Sequence, residues 1–261
     1  MQLPLYHVDA FTDQVFRGNP AAVCPLERWL PDELMQKIAM ENSLAETAFF
    51  VPGGDGFEIR WFTPEIEMDL CGHATLASAH VIVRHLRYPL PVIKFSSQSG
   101  ALAVRVEGDL LTLDFPSRKP QPSRLPQVIL DAFPAAPAEV LKSRDYLLVY
   151  DDEEIIRSMH PDQSILNQID LGTGGVIVTA PGREVDFVSR FFSPGASIFE
   201  DPVTGSAHCT LIPYWSERLG KQTLHAWQLS ARGGVLLCKN AGERVLISGQ
   251  AVTYLEGTIT I

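Results

Sequence analysis

The sequence predicts an α+β protein of two pseudo-symmetric domains, each a mostly antiparallel sheet wrapped around a central helix. The first observation behind this is a long-period repeat. Phe62-Thr63-Pro64 followed by Cys71-Gly72-His73-Ala74 returns as Phe192-Ser193-Pro194 followed by Thr204-Gly205-Ser206-Ala207. Pro31-Asp32, Pro52-Gly53 and Gly100 return in the same order as Pro161-Asp162, Pro181-Gly182 and Gly233, all at offsets of 129 to 133 residues. Collinear similarity at so long a period argues for two related domains with a cleft between them and against a solenoid of short units. The second observation is one helix-like segment per half that is apolar nearly all round, as an enclosed helix must be. The third is that these segments are flanked by short alternating or β-branched runs punctuated by Gly and Pro, the pattern of hairpins.

In chain order, Leu5–Phe11 alternates like a strand, and Phe16-Arg17-Gly18-Asn19-Pro20 forms a turn into the apolar run 21–24. Pro31 suits the first turn of an amphipathic helix with Leu34, Met35 and Ile38 inward, fading near Asn42. Two strands, 47–52 and 57–62, are joined by Gly53-Gly54-Asp55-Gly56. An acidic loop then leads to the Gly72 turn and the central helix 73–86. Strands at 92–95, 102–106 and 110–115 close the first half. The Pro-rich, basic segment 117–126 reads as the linker. A short helix or two, a strand at 146–150 and a helix opened by Pro161 follow.

Gly172-Thr173-Gly174-Gly175 leads into a strand at 176–179, and 187–192 repeats 57–62. The second central helix spans 206–219, where Pro213 removes a backbone donor and is expected to introduce a kink. Val235–Cys238 and Val245–Ser248 repeat the terminal hairpin. Gln250–Ile261 has no counterpart in the first half and is expected to cross back to it. The expected domains are therefore 1–117 completed by 250–261, and 118–249.

Composition narrows the function classes. With 46% apolar and 20% charged residues the chain is an ordinary globular one. A net charge of −10 and a pI near 5.1, with no Lys/Arg cluster, oppose nucleic-acid binding. The N-terminus lacks the basic flank and apolar core of a secretory signal, and no window approaches a membrane span, so a cytoplasmic location is expected. Cys24, Cys71, Cys209 and Cys238 show no paired spacing, and neither a disulfide framework nor a zinc site is indicated.

Chemistry is expected at the two Gly turns. Helix N-termini present unpaired amides and a positive dipole end, so Gly72-His73 and Gly205-Ser206 are natural seats for a carboxylate or an enolate-like anion. Ser43-x-x-Glu46 has the form of a capping box, yet strand-like residues follow it, leaving no helix to cap. A carboxylate there, beside Phe49 and Phe50, is partly desolvated and suited to proton transfer. Its equivalent in the second half is Gly175, so any acid/base catalysis is asymmetric. His73 either bonds a ligand or shuttles a proton, or else faces solvent or bonds the backbone in the first turn. Asp201 either starts a turn, orients a substrate amine or hydroxyl, or positions His73, and Ser206 either caps its helix or meets the ligand. Thr204 stands where a two-thiol racemase would need the partner of Cys71, which disfavours that mechanism. The Gly172 motif is not a dinucleotide fingerprint, and no phosphate-binding Lys motif is present.

Taken together, Asp9-Ala10-Phe11-Thr12, Gly18-Asn19-Pro20, Glu46-Thr47-Ala48-Phe49, Phe62-Thr63-Pro64-x-x-Glu67, Cys71-Gly72-His73-Ala74-Thr75 and Glu200-Asp201-Pro202-Val203-Thr204-Gly205-Ser206-Ala207 resemble the PhzF-like family of phenazine-biosynthesis isomerases. The resemblance spans the chain and implies the diaminopimelate epimerase-like fold, in which each domain is a barrel-like sheet around a central helix. It implies an active site between domains that works without metal or cofactor. Glu46 would be the acid/base, with His73 and Asp201 relaying protons or positioning substrate. Asn19, Gly72, His73, Asp201, Gly205 and Ser206 would bind it. Family members are commonly homodimers, and the same is expected here. The function so implied is a cofactor-independent isomerase that moves a proton and a double bond in a small carboxylate-bearing metabolite. An amino- or hydroxy-acid epimerase and a non-catalytic carboxylate-binding protein are the alternatives.

Overall fold

A computed structural model describes residues 1–261, and the chain divides into two compact units, Met1–Phe115 with Leu246–Ile261, and Pro116–Val245. The first unit opens with strands β1 (Gln2–Ala10) and β2 (Asn19–Pro25), helix α1 (Asp32–Asn42), and the hairpin β3 (Glu46–Gly53) and β4 (Gly56–Phe62). The short β5 (Glu67–Met68), helix α2 (Gly72–Arg84), and strands β6 (Val92–Ser97), β7 (Gly100–Glu107) and β8 (Leu110–Pro116) follow.

The second unit runs β9 (Gln121–Pro122), α3 (Gln127–Ala132), β10 (Glu139–Lys142), β11 (Tyr146–Val149), α4 (Glu153–Ser158), α5 (Gln163–Leu166), β12 (Val176–Pro181) and β13 (Phe187–Phe192). It continues with β14 (Glu200–Asp201), α6 (Gly205–Leu219), β15 (Thr223–Gln228) and β16 (Gly234–Asn240). Strand β17 (Arg244–Gly249) contains the boundary, and β18 (Ala251–Thr260) belongs to the first unit.

The repeat read from sequence is a repeat of strand pairing. In the first unit β18 pairs antiparallel with β1, β1 with β2, β2 runs parallel to β3, β3 pairs antiparallel with β4, and β4 is parallel to β6. In the second, β9 pairs antiparallel with β10, β10 with β11, β11 runs parallel to β12, β12 pairs antiparallel with β13, and β13 is parallel to β15. One expectation is thereby corrected. Gln250–Ile261 does have a counterpart, because β9 follows β8 as β18 follows β17, and β9 pairs with the first long strand of its unit as β18 does with β1. At two residues, between Pro120 and a Pro122 that cannot donate to a ladder, β9 carries no strand signal.

Each sheet encloses its helix. In α2 every residue from Gly72 to Ala79, together with Val81 and Ile82, is buried, and the helix packs on β1, β2, β3 and β18. Its buried hydroxyls fold back on the helix, Thr75 Oγ1 onto Cys71 O and Ser78 Oγ onto Ala74 O, so neither hydroxyl is stranded. In α6 Pro213 leaves the Cys209 carbonyl without its helical donor. The Arg118 amide supplies one at 2.9 Å, and the helix runs unbroken to a left-handed Gly220.

Candidate active site

In the first unit the register of β2 on β3 and the start of α2 bring four side chains together. A turn with Phe16 and Gly18 at positive φ delivers Asn19 to the head of β2, and a Cβ at Gly18 would lie 2.2 Å from the Ala10 carbonyl. Asp9 holds that turn by accepting from the Phe16 amide at 2.8 Å. Ser43 adopts left-handed φ as the C-cap of α1, which ends the helix and places Glu46 at the first position of β3, beside Ala21. Ser43 therefore caps the end of a helix, not the start of one.

His73, 3% exposed, is the hub of the cluster. Its Nδ1 lies 3.0 Å from Asn19 Nδ2 and 3.6 Å from Cys71 Sγ, and its Nε2 is 3.0 Å from Glu46 Oε2. On a charged ring both nitrogens carry protons, so Nε2–H faces Glu46 and the Asn19 amide turns to present its oxygen to Nδ1–H. The Nε2 and Oε2 atoms make an ion-pair contact but are not aligned for a hydrogen bond, so both retain bonding capacity for a ligand. Burial alone would push the His73 ring down, but the Glu46 carboxylate and the hydrogen bond to Cys71 outweigh it and hold the ring above its ordinary value. Burial, helped by the Glu46 charge, pushes the Cys71 thiol up to about 11, so at neutral pH the sulfur is a neutral thiol. The first-turn amides of α2 have no intrahelical acceptor, as at any helix start, and they lie beside the Glu46–His73 pair.

The second unit is equally ordered and chemically different. Asp201 Oδ2 accepts from Thr204 Oγ1 at 2.5 Å, and Gln228 donates to the Asp201 carbonyl and to Thr204 Oγ1 while accepting from the Thr204 amide. Thr204 thus fixes Asp201 where its counterpart Cys71 abuts His73. Ser206 does not cap α6; that place belongs to Thr204, and the Ser206 hydroxyl meets Arg144 Nη2 at 3.4 Å.

Strand registers give the equivalences independently of sequence spacing. Thr47 faces Phe62 as Val176 faces Phe192, which pairs Glu46 with Gly175, and Trp61 faces Met68 as Phe191 faces Asp201. One unit has Glu46 and His73 where the other has Gly175 and Ser206. The other has Asp201 where the first has Met68.

Three features went unread in the sequence. Asp145, fully buried, accepts from the Gly175 amide at 2.9 Å and from Arg144 Nε at 3.3 Å. By register it matches Ala21, the cross-strand neighbour of Glu46, so an acid stands one strand away from the position where the repeat lacks one. Gln228 holds the Asp201 loop from β15, whose alternation Thr223-Leu224-His225-Ala226-Trp227-Gln228 is the signal that could have found it. An Arg–Glu clamp is also duplicated. Arg60 bonds both oxygens of Glu67 at 2.7 Å and lies over Phe62, while Arg190 bonds both oxygens of Glu200 at 2.7 and 2.9 Å and lies over Phe192. The signal was present as Arg-x-Phe preceding each Thr/Ser-Pro turn.

The family model described as phenazine biosynthesis-like protein matches residues 8–257. The chain belongs to the PhzF family. A Pseudomonas aeruginosa protein named as an uncharacterized isomerase is 52% identical over 259 residues, 99% of each chain. A crystal structure of an Enterococcus faecalis PhzF-family protein superposes with a TM-score of 0.96 at 48% identity, covering 100% of both chains. A hydroxyproline epimerase from Agrobacterium vitis, 10% identical with a TM-score of 0.64 over 99% of this chain and 92% of its own, shares the fold alone. The PhzF chain thus has the α+β epimerase-like fold expected from its sequence, and no helix in it is long and apolar enough to cross a membrane.

Proposed function

We propose that this PhzF-family chain is an isomerase that moves a proton, and with it a double bond, in a small carboxylate-bearing metabolite without metal or cofactor, using Glu46 as the acid/base. The observation that carries the reading is the Glu46–His73 contact at 3.0 Å beside the N-terminus of α2. A carboxylate held against an imidazolium takes up and returns a proton, and the first-turn amides stabilise the anion formed in between. Asn19 supports the ring from behind. The neutral Cys71 thiol and the Asp201-bound Thr204 leave no opposed thiolate pair. Asp201, Gly205 and Ser206 are assigned to substrate positioning on the family resemblance. The isomerase names of relatives agree with the reaction class and name no substrate.

The experiment is a carboxylate-metabolite screen by thermal shift, followed by NMR of solvent deuterium uptake into each hit. Wild type should exchange a substrate C–H that Glu46→Gln leaves untouched. Equal exchange by both proteins refutes the role of Glu46. Loss of optical rotation without double-bond migration would replace isomerisation by epimerisation, and tight binding without exchange of any hit would leave a binding protein.

A further inference from the structure

We infer that Glu46, Cys71 and His73 form a three-ligand seat for a soft divalent cation of the Zn²⁺ type, which would occupy the site as an inhibitor. The Glu46 carboxylate, the Cys71 sulfur and a His73 ring nitrogen all lie within 4.8 Å of one another. Zinc bonded tetrahedrally to N, O and S separates its ligand atoms by about 3.3 to 3.6 Å. The contacts already present are close to that range but use opposite ring nitrogens, 3.0 Å between His73 Nε2 and Glu46 Oε2 and 3.6 Å between His73 Nδ1 and Cys71 Sγ. A modest turn of the imidazole brings one nitrogen into the set, and Asn19 can then hold the other, as the outer partner of a metal-bound histidine does. Cys71 and His73 are buried, while the Glu46 side chain is 16% exposed, so the ion enters past the carboxylate and keeps an open fourth position there.

The mixed S, N and O donor set favours zinc-like ions over magnesium or calcium, which require oxygen. Sequence spacing hides the site, since Cys71-x-His73 lacks a paired motif and Glu46 arrives from another strand. Binding is proton exchange without redox change: the S–H bond of Cys71 breaks as the sulfur–metal bond forms, and its proton, with any proton on the ligating nitrogen, leaves to buffer. Inhibition, unlike binding, rests on the proposed role of Glu46 as the acid/base.

The test uses the full chain freed of metal by chelation and titrated with Co²⁺, whose thiolate complexes absorb by sulfur-to-metal charge transfer. Wild type should take one Co²⁺ per chain with that absorption, displaced by Zn²⁺ and unaffected by Mg²⁺. Cys71→Thr, the residue found at the equivalent Thr204, should lose the band while keeping its thermal transition, and Glu46→Gln should weaken Co²⁺ binding about tenfold or more. No charge-transfer band in wild type, or a band that persists in folded Cys71→Thr, overturns the site. If Zn²⁺ binds and substrate deuterium exchange continues unchanged, inhibition is overturned together with the role of Glu46, while the metal site stands.

Discussion

The duplicated Arg–Glu clamps allow a quantitative test of what holds each unit's entry loop in place, because one chemical device sits in two environments. Arg190 and Glu200 have side chains 8% and 21% exposed, and Arg190 Nη1 also donates to the Ile156 and Met159 carbonyls at the end of α4. Arg190→Met leaves Glu200 charged and largely buried, about 3 kcal/mol at the lower end of the range for a broken buried pair, since water reaches part of the carboxylate. Two carbonyls that lose a donor add about 1 kcal/mol each, for a total of about 4 to 5 kcal/mol.

Arg60 and Glu67 are 19% and 23% exposed, and the additional partner Asp32 is 74% exposed, so Arg60→Met should cost only about 2 kcal/mol. In Arg190→Met/Glu200→Gln the stranded charge is gone and about 2 kcal/mol of loss remains, chiefly from the carbonyls. Urea unfolding is followed by intrinsic fluorescence, with Trp29 and Trp61 reporting on the first unit and Trp215 and Trp227 on the second. At about 3 °C per kcal/mol, thermal midpoints should fall by about 12 to 15 °C, 6 °C and 6 °C respectively. Equal losses for Arg60→Met and Arg190→Met, or a double variant no more stable than Arg190→Met, would refute the claim that burial of the pair sets the cost.

Three further outcomes follow from the same structure. His73 has its folded value raised, so its contribution to stability is fully present below the unfolded value of about 6.5 and is lost as pH rises through the folded value; His73→Gln should flatten the alkaline side of a first-unit urea-midpoint profile. His208 is driven by burial down to about 4 while its Nδ1–H donates to Thr204 O, so stability present above about pH 6.5 is lost as pH falls through 4, on the order of 3 kcal/mol. His208→Thr, copying its counterpart Thr75 with the same i−4 bond, should remove that acid sensitivity from the second unit. Pro213→Ala should raise the thermal midpoint by less than about 3 °C, because Cys209 O already accepts from Arg118, whereas Arg118→Pro should lower it by about 3 to 6 °C.

The parts of the fold legible in sequence were those whose physics is local or periodic. The central helices showed as apolar segments behind a Gly turn, and the β3–β4 hairpin showed through its Gly-rich connection, because turn chemistry and burial on all sides leave their mark in consecutive residues. Strands β5, β9, β10, β14 and β15 were not read. Three of them are two residues long, and Glu139–Lys142 is only partly buried along its length, so in these neither alternation nor a continuous apolar run develops. Glu46 and His73 were found because each breaks a local expectation, a capping box without a helix and a histidine in the first turn of a buried one. Asp145, Gln228 and the two arginines are ordinary in their own segments and become significant only through partners brought by register, which no window of sequence contains.

The two units depart from the repeat in complementary ways. A symmetric duplication would give each unit an acid on β3 or β12, a first-turn residue on α2 or α6, and a β5 or β14 residue in front of the helix. The chain instead keeps Glu46 and His73 with Met68 in one unit, and Gly175 and Ser206 with Asp201 in the other. Each acid is matched to its surroundings: Glu46 stands against an imidazole held charged by its neighbours, and Asp201 against the hydroxyl of Thr204, itself held by Gln228. The Asp201 carboxylate accepts from a hydroxyl that does not titrate at neutral pH, whereas Glu46 is paired with a titratable ring, the arrangement suited to proton traffic. This division makes Asp201→Asn the informative partner of Glu46→Gln: the first should raise KM and leave residual exchange, and the second should remove exchange at any substrate concentration. Equal loss of exchange at saturating substrate in both variants would mean that the second acid also carries the proton, and the division of labour argued from the broken repeat would fail.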